Sequence, residues 1–230
     1  MNDERSLLGG KPEFNNPKKY LESGKMTNHL ESNIQEIAQK ISGETTEEIV
    51  RKIVIYMNKN VTMNRLDNDE KKFKRTAEEI VEDGYRNGCS DSSILFIAIA
   101  RAKGIPTMQI VSFNKNLALE LEGTDRKITE GHFWAGVFSK EDKKWYLVDS
   151  DANEEKLRNK DFYRKLDLEN RNLTKKYHYA FAYVNDFREI ELNDMRIDSI
   201  ENIGKIQRDV YKLCDKKYIS FEKDYEYDDR

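Results

Sequence analysis

Three side chains in this sequence, Cys89, His132 and Asp149, are of types that can do covalent chemistry together. A thiol nucleophile needs a base within hydrogen-bond reach, and that base needs an orienting partner. Cys89 follows Gly88 and opens an apolar run (Ile94, Leu95, Ile97, Ala98, Ile99, Ala102) that closes at Gly104-Ile105-Pro106. The run is dense enough for a helix buried on most sides, which puts the cysteine in its first turn. That turn has unpaired N–H groups and carries partial positive charge, and both favour a thiolate over a thiol. Gly88 allows an unusual backbone conformation and leaves the space beside the sulfur open. Ser90 and Asp91 are polar and acidic in the first turn, as a helix start prefers.

His132 lies in Gly-His-Phe-Trp-Ala-Gly-Val, and His132 to Phe138 alternates as a strand does. Trp145 to Val148 reads as a second strand, with Lys140 to Lys143 as the turn between them, and Asp149 sits where that strand ends. The hairpin puts His132 and Asp149 side by side, so each candidate role comes from a rigid element. Taken singly, each residue has a plainer reading: a buried structural cysteine, a strand histidine, a turn aspartate beside Asp151. Trp134 and Trp145 read as core or cleft-wall residues, with Trp134 also able to shield the site from water. Asp91 reads as a helix-start charge, His178 as structural in an aromatic strand, and Cys214 as core on the last helix. His29 carries no signal.

The elements that must hold these groups follow from periodicity. Leu30 to Ile41 has helical spacing, Thr45 or Thr46 caps a second helix ahead of Glu47 and Glu48, and Thr76 to Val81 forms a short third. Val61 to Lys72 reads as a loop. After the Cys89 helix come a strand from Thr107 to Phe113, an ambiguous charged stretch from Asn114 to Thr129, and the hairpin. Asp161 to Leu166 suggests helical turns. Tyr177 to Val184 reads as a strand with Phe187 to Leu192 pairing with it, and Ile200 to Leu213 as a helix. The expected division is a loose polar N-terminal arm over residues 1–28, a catalytic domain over 29–220 and an acidic tail over 221–230.

The chain has 230 residues, enough for a core without disulfides. Its net charge is −3 although 36% of residues are charged, which argues for a soluble surface and against a nucleic-acid partner. Two distant cysteines and three histidines are not a disulfide framework and give no zinc motif. No phosphate-binding glycine loop, dinucleotide fingerprint or serine-hydrolase elbow is present, so no cofactor and no metal are expected. No stretch has the length of a membrane span and no signal-peptide core is seen, so the expected location is cytoplasmic, without a membrane partner.

The combination Gly88-Cys89-Ser90-Asp91, Arg101-Ala102-Lys103-Gly104-Ile105-Pro106, His132-Phe133-Trp134 and Trp145 to Asp149 resembles the transglutaminase-like superfamily, a branch of the papain-like cysteine enzymes. The resemblance runs over Ile49 to Asp151. It departs after the aspartate, where the family often has Pro and this chain has Ser150, and the strand domains and calcium sites of animal transglutaminases are not matched. It implies an α+β fold with N-terminal helices, the nucleophile helix among them, packed on an antiparallel β-sheet. It further implies a Cys89 nucleophile, a His132 base and an orienting Asp149. The expected activity is amide hydrolysis through a thioester on a protein or peptide substrate. Protein-glutamine γ-glutamyl transfer and a catalytically silent binding module are the alternatives. The Cys89 backbone N–H is one expected oxyanion donor, with Tyr85 and Asn87 as candidates for the second.

Overall fold

The computed structural model describes residues 12–64, 70–128, 130–168, 171, 173–174 and 178–214. Helices dominate the first half: α1 (Ser32–Lys40), α2 (Thr46–Asn60), α3 (Ala77–Asp83) and α4 (Gly88–Ala102). Their starts follow local chemistry. The Thr45 side chain accepts from Glu48 N–H ahead of α2, and Thr76 and Glu79 form a reciprocal capping box at α3. Between them, β1 (Thr62–Asn64) pairs in parallel with β2 (Tyr85–Asn87), within the stretch the sequence reads as a loop. Three residues whose partner lies a helix away leave no periodicity to read.

The second half carries β3 (Thr107–Asn114), α5 (Lys115–Glu120), β4 (Gly131–Phe138), β5 (Trp145–Val148), α6 (Glu154–Asn159), β6 (Tyr163–Lys165) and β7 (His178–Val184). The five strands β6-β5-β4-β3-β7 form one antiparallel sheet in that order. Alternation along each strand divides the core in two. Val111, Phe113, Phe133, Ala135, Val137 and Phe181 pack with the apolar run of α4 and with α1 to α3. Met108, Ile110, Trp134, Trp145, Leu147 and Tyr183 form a second cluster with Tyr20, Leu166 and Leu173.

Two local expectations are corrected. Asp161 to Leu166 contains strand β6, not helical turns: α6 ends at Lys160, which takes φ +62°, and Tyr163 then stacks on Tyr146 of the neighbouring strand with ring centroids 4.4 Å apart. Phe187 to Leu192 does not pair with β7. The Asp186 side chain accepts from Arg188 N–H, a 3₁₀ turn follows, and β8 (Glu191–Leu192) pairs with β9 (Met195–Arg196) before α7 (Ile200–Leu213).

The arm expected to be loose is packed over residues 12–28. Tyr20, Met26 and Thr27 are buried, and Tyr20 meets Trp145 edge-on at 5.4 Å. The fastener is Arg101 on α4, whose buried guanidinium donates to the carbonyls of Tyr20, Glu22, Thr107 and Asn185 and to Thr27 Oγ1. Asp186 supports the same segment by accepting from Met26 N–H and Thr27 N–H. Residues 1–11 and the acidic tail 221–230 lie outside the described residues.

Candidate active site

Cys89 stands in the first turn of α4, half-buried, with a free thiol. Gly88 before it has φ +78°, in the left-handed region that other residues avoid, and a Cβ there would meet nothing within 4 Å. The space beside the Gly88 Cα is therefore open.

The turn carrying Cys89 is pinned from two sides. Asp91 is fully buried, accepts from the backbone N–H of Asn87 at 2.7 Å and is paired with the buried Arg75 guanidinium. Arg75 also donates to Asp83 and lies over the Tyr85 ring at 4.1 Å. On the other side, Ser92 Oγ donates to Gly88 O (3.0 Å) and lies 3.1 Å from Asp151 Oδ1, while Arg86 donates to it. This ties the turn carrying Cys89 to the loop holding Asp149. Asp91 thus acts as a structural anchor at the helix start. Arg75, Arg86 and Ser92 were not singled out from sequence, because nothing in a polar residue's local context shows which distant carboxylate it will meet.

His132 is the second residue of β4 and faces Ser112 across the β3–β4 ladder. Its Nε2 lies 3.2 Å from Asp149 Oδ1, and Cys89 is near enough for its charge to act on the imidazole. The three residues named from sequence are thereby brought together. Asp149 is buried, and both its oxygens are engaged. Oδ1 also accepts from Asp151 N–H, and Oδ2 pairs with Lys156 Nζ of α6 at 3.1 Å.

Charge explains how these groups are held. Burial by itself pushes the His132 imidazole down, but the negative charge Cys89 carries when ionised, with the hydrogen bond to Asp149, reverses this and holds it up at about 10. Burial pushes Asp149 up, yet the hydrogen bond and charge of His132, with Lys156, keep its carboxyl well below the usual range. For His132 the folded value lies above the ordinary 6.5. Its contribution to stability is therefore complete below that pH and is lost as pH rises through about 10. Asp149 acts in the opposite sense, contributing above its ordinary range and losing the contribution in acid. The unfolding free energy of wild type in urea should therefore fall between pH 7 and 10 more steeply than that of His132→Asn. Removing the sulfur in Cys89→Ala should move the His132 titration, read by NMR of the ring protons, to lower pH. Equal slopes and an unmoved titration would show that the pairing is not energetically coupled.

Of the remaining candidates, Trp134 is buried, meets the His132 ring edge-on at 4.4 Å and donates its Nε1–H to Ser112 Oγ at 3.0 Å. Asn87 is buried in β2 beside the turn carrying Cys89, and Tyr85 is half-buried against Arg75. His178, read from sequence as structural, lies at the start of β7 with its ring 5.7 Å from that of His132. Cys214 caps α7, away from these groups in sequence and half-buried.

Among the described residues no helix is long and apolar enough to cross a membrane. No curated protein matches the chain. Among solved structures, "a Putative Cysteine Protease from Cytophaga hutchinsonii" is similar with a TM-score of 0.51 and 16% identity, over 81% of this chain and 54% of that one. The structure of "a TGase" is similar with a TM-score of 0.34 and 17% identity, over 67% of this chain and 34% of that one. The chain thus spans about half the length of the first and a third of the second. At such identities the first likeness speaks for the fold, an α+β arrangement of helices on an antiparallel sheet. Residues 35–150 match the transglutaminase-like superfamily. That match takes in half of the sequence, including the Cys89 helix and the His132 hairpin, and the chain belongs to the transglutaminase-like superfamily.

Proposed function

We propose that the chain is a cysteine-dependent acyl-transfer enzyme acting on amide bonds, with water as the usual acceptor and a protein or peptide as substrate. The observation that carries this reading is the His132–Asp149 hydrogen bond with Cys89 near enough to act on the same imidazole, drawn from a helix start and two neighbouring strand ends. Cys89 Sγ attacks the amide carbonyl carbon, and the carbonyl electrons move onto oxygen. The C–N bond then breaks as His132 delivers its proton to the departing nitrogen, leaving a thioester. Water attacks that thioester, His132 takes the water proton, and the C–S bond breaks to regenerate the sulfur. Since Nε2 of His132 is turned to Asp149, Nδ1 is the nitrogen left for these transfers. Asp149 holds the ring in that tautomer and stabilises its positive form. The Cys89 backbone N–H serves the oxyanion, with Tyr85 or Asn87 completing it, and Trp134 walls the cleft.

The test is incubation with a glutamine-bearing protein such as casein, with and without a labelled primary amine. Peptide cleavage or ammonia release without label incorporation is the expected result. Incorporation exceeding hydrolysis would make the acceptor an amine, and the activity a γ-glutamyl transfer. Neither reaction, on a range of protein and peptide substrates, would overturn the enzymatic reading in favour of a binding module.

A further inference from the structure

Beside His132 lies a second imidazole that the acyl-transfer scheme leaves unused. His178 packs at 5.7 Å from the His132 ring and 5.4 Å from that of Trp134, and all three converge on one hydroxyl. Ser112 Oγ donates to the His132 carbonyl at 3.1 Å, accepts Trp134 Nε1–H at 3.0 Å, and lies 3.4 Å from His178 Nδ1. A hydroxyl has one proton and two lone pairs. Its proton is directed at His132 O and one lone pair is filled by Trp134. The contact with His178 is therefore completed by an Nδ1–H that the histidine supplies. A neutral imidazole protonated at Nδ1 carries its lone pair on Nε2. That Nε2 has no hydrogen-bond partner among the described residues, and the residue is half-buried.

We propose that His178 is a substrate-binding residue whose Nε2 accepts a hydrogen bond from an amide N–H of the acyl donor bound beside His132. This rests on the reading of Cys89 as the nucleophile.

The electrostatic surroundings keep such an acceptor available. Burial drives the His178 imidazole down to about 3, and the charge of His132 on β4 adds to the effect. Arg164 of β6 and Lys115 of α5 act in the same direction, and Asp149 alone opposes them. A protonated His178 would lose its acceptor and would set two positive rings side by side. A substrate lacking the N–H leaves the lone pair of a desolvated nitrogen unpaired, which is how a site built to receive a hydrogen bond discriminates.

Two alkylating reagents of similar size separate the possibilities: iodoacetamide, which has a carboxamide N–H, and methyl iodoacetate, which has one more heavy atom and no N–H. Rates at Cys89 are followed by mass spectrometry in a Cys214→Ser background and normalised to N-acetylcysteine. Wild type should prefer iodoacetamide about 3–10-fold, the range of one hydrogen bond. His178→Phe should lose the preference, and His178→Gln, whose amide oxygen replaces the acceptor, should recover it. A preference that persists in His178→Phe, or is not recovered in His178→Gln, overturns the proposal. So does a wild-type Cys89 that reacts fast with both reagents and prefers neither, and that result leaves the nucleophile standing. A Cys89 no faster than the free thiol with either reagent removes the nucleophile, and this inference with it.

Discussion

Cys89→Ala should fold normally and lose amide turnover by roughly 10⁴-fold or more, the scale on which removal of an attacking residue acts. The activity and the stability are expected to separate because the thiol stands at the edge of the core. Cys89 is half-buried and packs against the core cluster from the first turn of α4, whereas Ser90 to Arg101 are buried throughout. Alanine is the strongest helix former and leaves only a small void at a half-exposed site. A change in unfolding free energy of about 1 kcal/mol or less is expected, within the ordinary range for a substitution of this size. Cys89→Ser should be nearly as inactive, since a hydroxyl beside the same imidazole ionises far less readily than a thiol. The checks are initial rates on the substrate found with casein and urea unfolding of the same preparations. Full turnover by Cys89→Ala would sink the covalent mechanism. A large stability loss with it would make the residue a core cysteine.

The second large effect is on stability and comes from Arg101. Its guanidinium is buried among carbonyl and hydroxyl acceptors and, among the described residues, touches no carboxylate; Asp186, Glu189 and Glu22 act on it through their charge. Burial lowers its proton affinity to about 10, which still leaves it charged at neutral pH. Arg101→Ala relieves the cost of a desolvated charge but orphans the carbonyls of Tyr20, Thr107 and Asn185 together, while Glu22 O keeps the Asn185 side-chain amide as its donor. An orphaned buried group costs about 1–3 kcal/mol. Even after relief of the charge and entry of water, a loss on the order of 3–5 kcal/mol is expected, comparable to breaking a buried polar network elsewhere. Arg101→Lys keeps the charge but offers three donors from one point, and cannot span acceptors arranged around a planar fork. It should recover less than half. Hydrogen exchange should show the segment Tyr20 to Thr27 released in Arg101→Ala. A loss below about 1 kcal/mol, with that segment still protected, would mean the arm is held by its apolar contacts alone.

The parts of this protein that were legible in the sequence are those governed by neighbours along the chain. Thr45 and Thr76 announce α2 and α3 because capping is a contact over three residues. The apolar run after Cys89 announces α4, and the alternation from His132 announces β4. The hairpin then brings His132 to Asp149, since a short turn leaves adjacent strands little choice of partner. Strand β6 was not legible: Tyr163 to Lys165 is a strand because Tyr146 offers a ladder and a ring to stack on. The same holds for the packed arm, whose polar composition hides Tyr20 and Met26 until Arg101 supplies donors for its carbonyls. It holds too for His178, an ordinary histidine in an aromatic strand until the β3–β7 ladder sets it beside Ser112 and His132. Chain-local hydrogen bonding and apolar periodicity are written into short windows of residues. Which polar group a buried side chain meets, and what charge it then carries, is set by partners brought together only when the sheet closes.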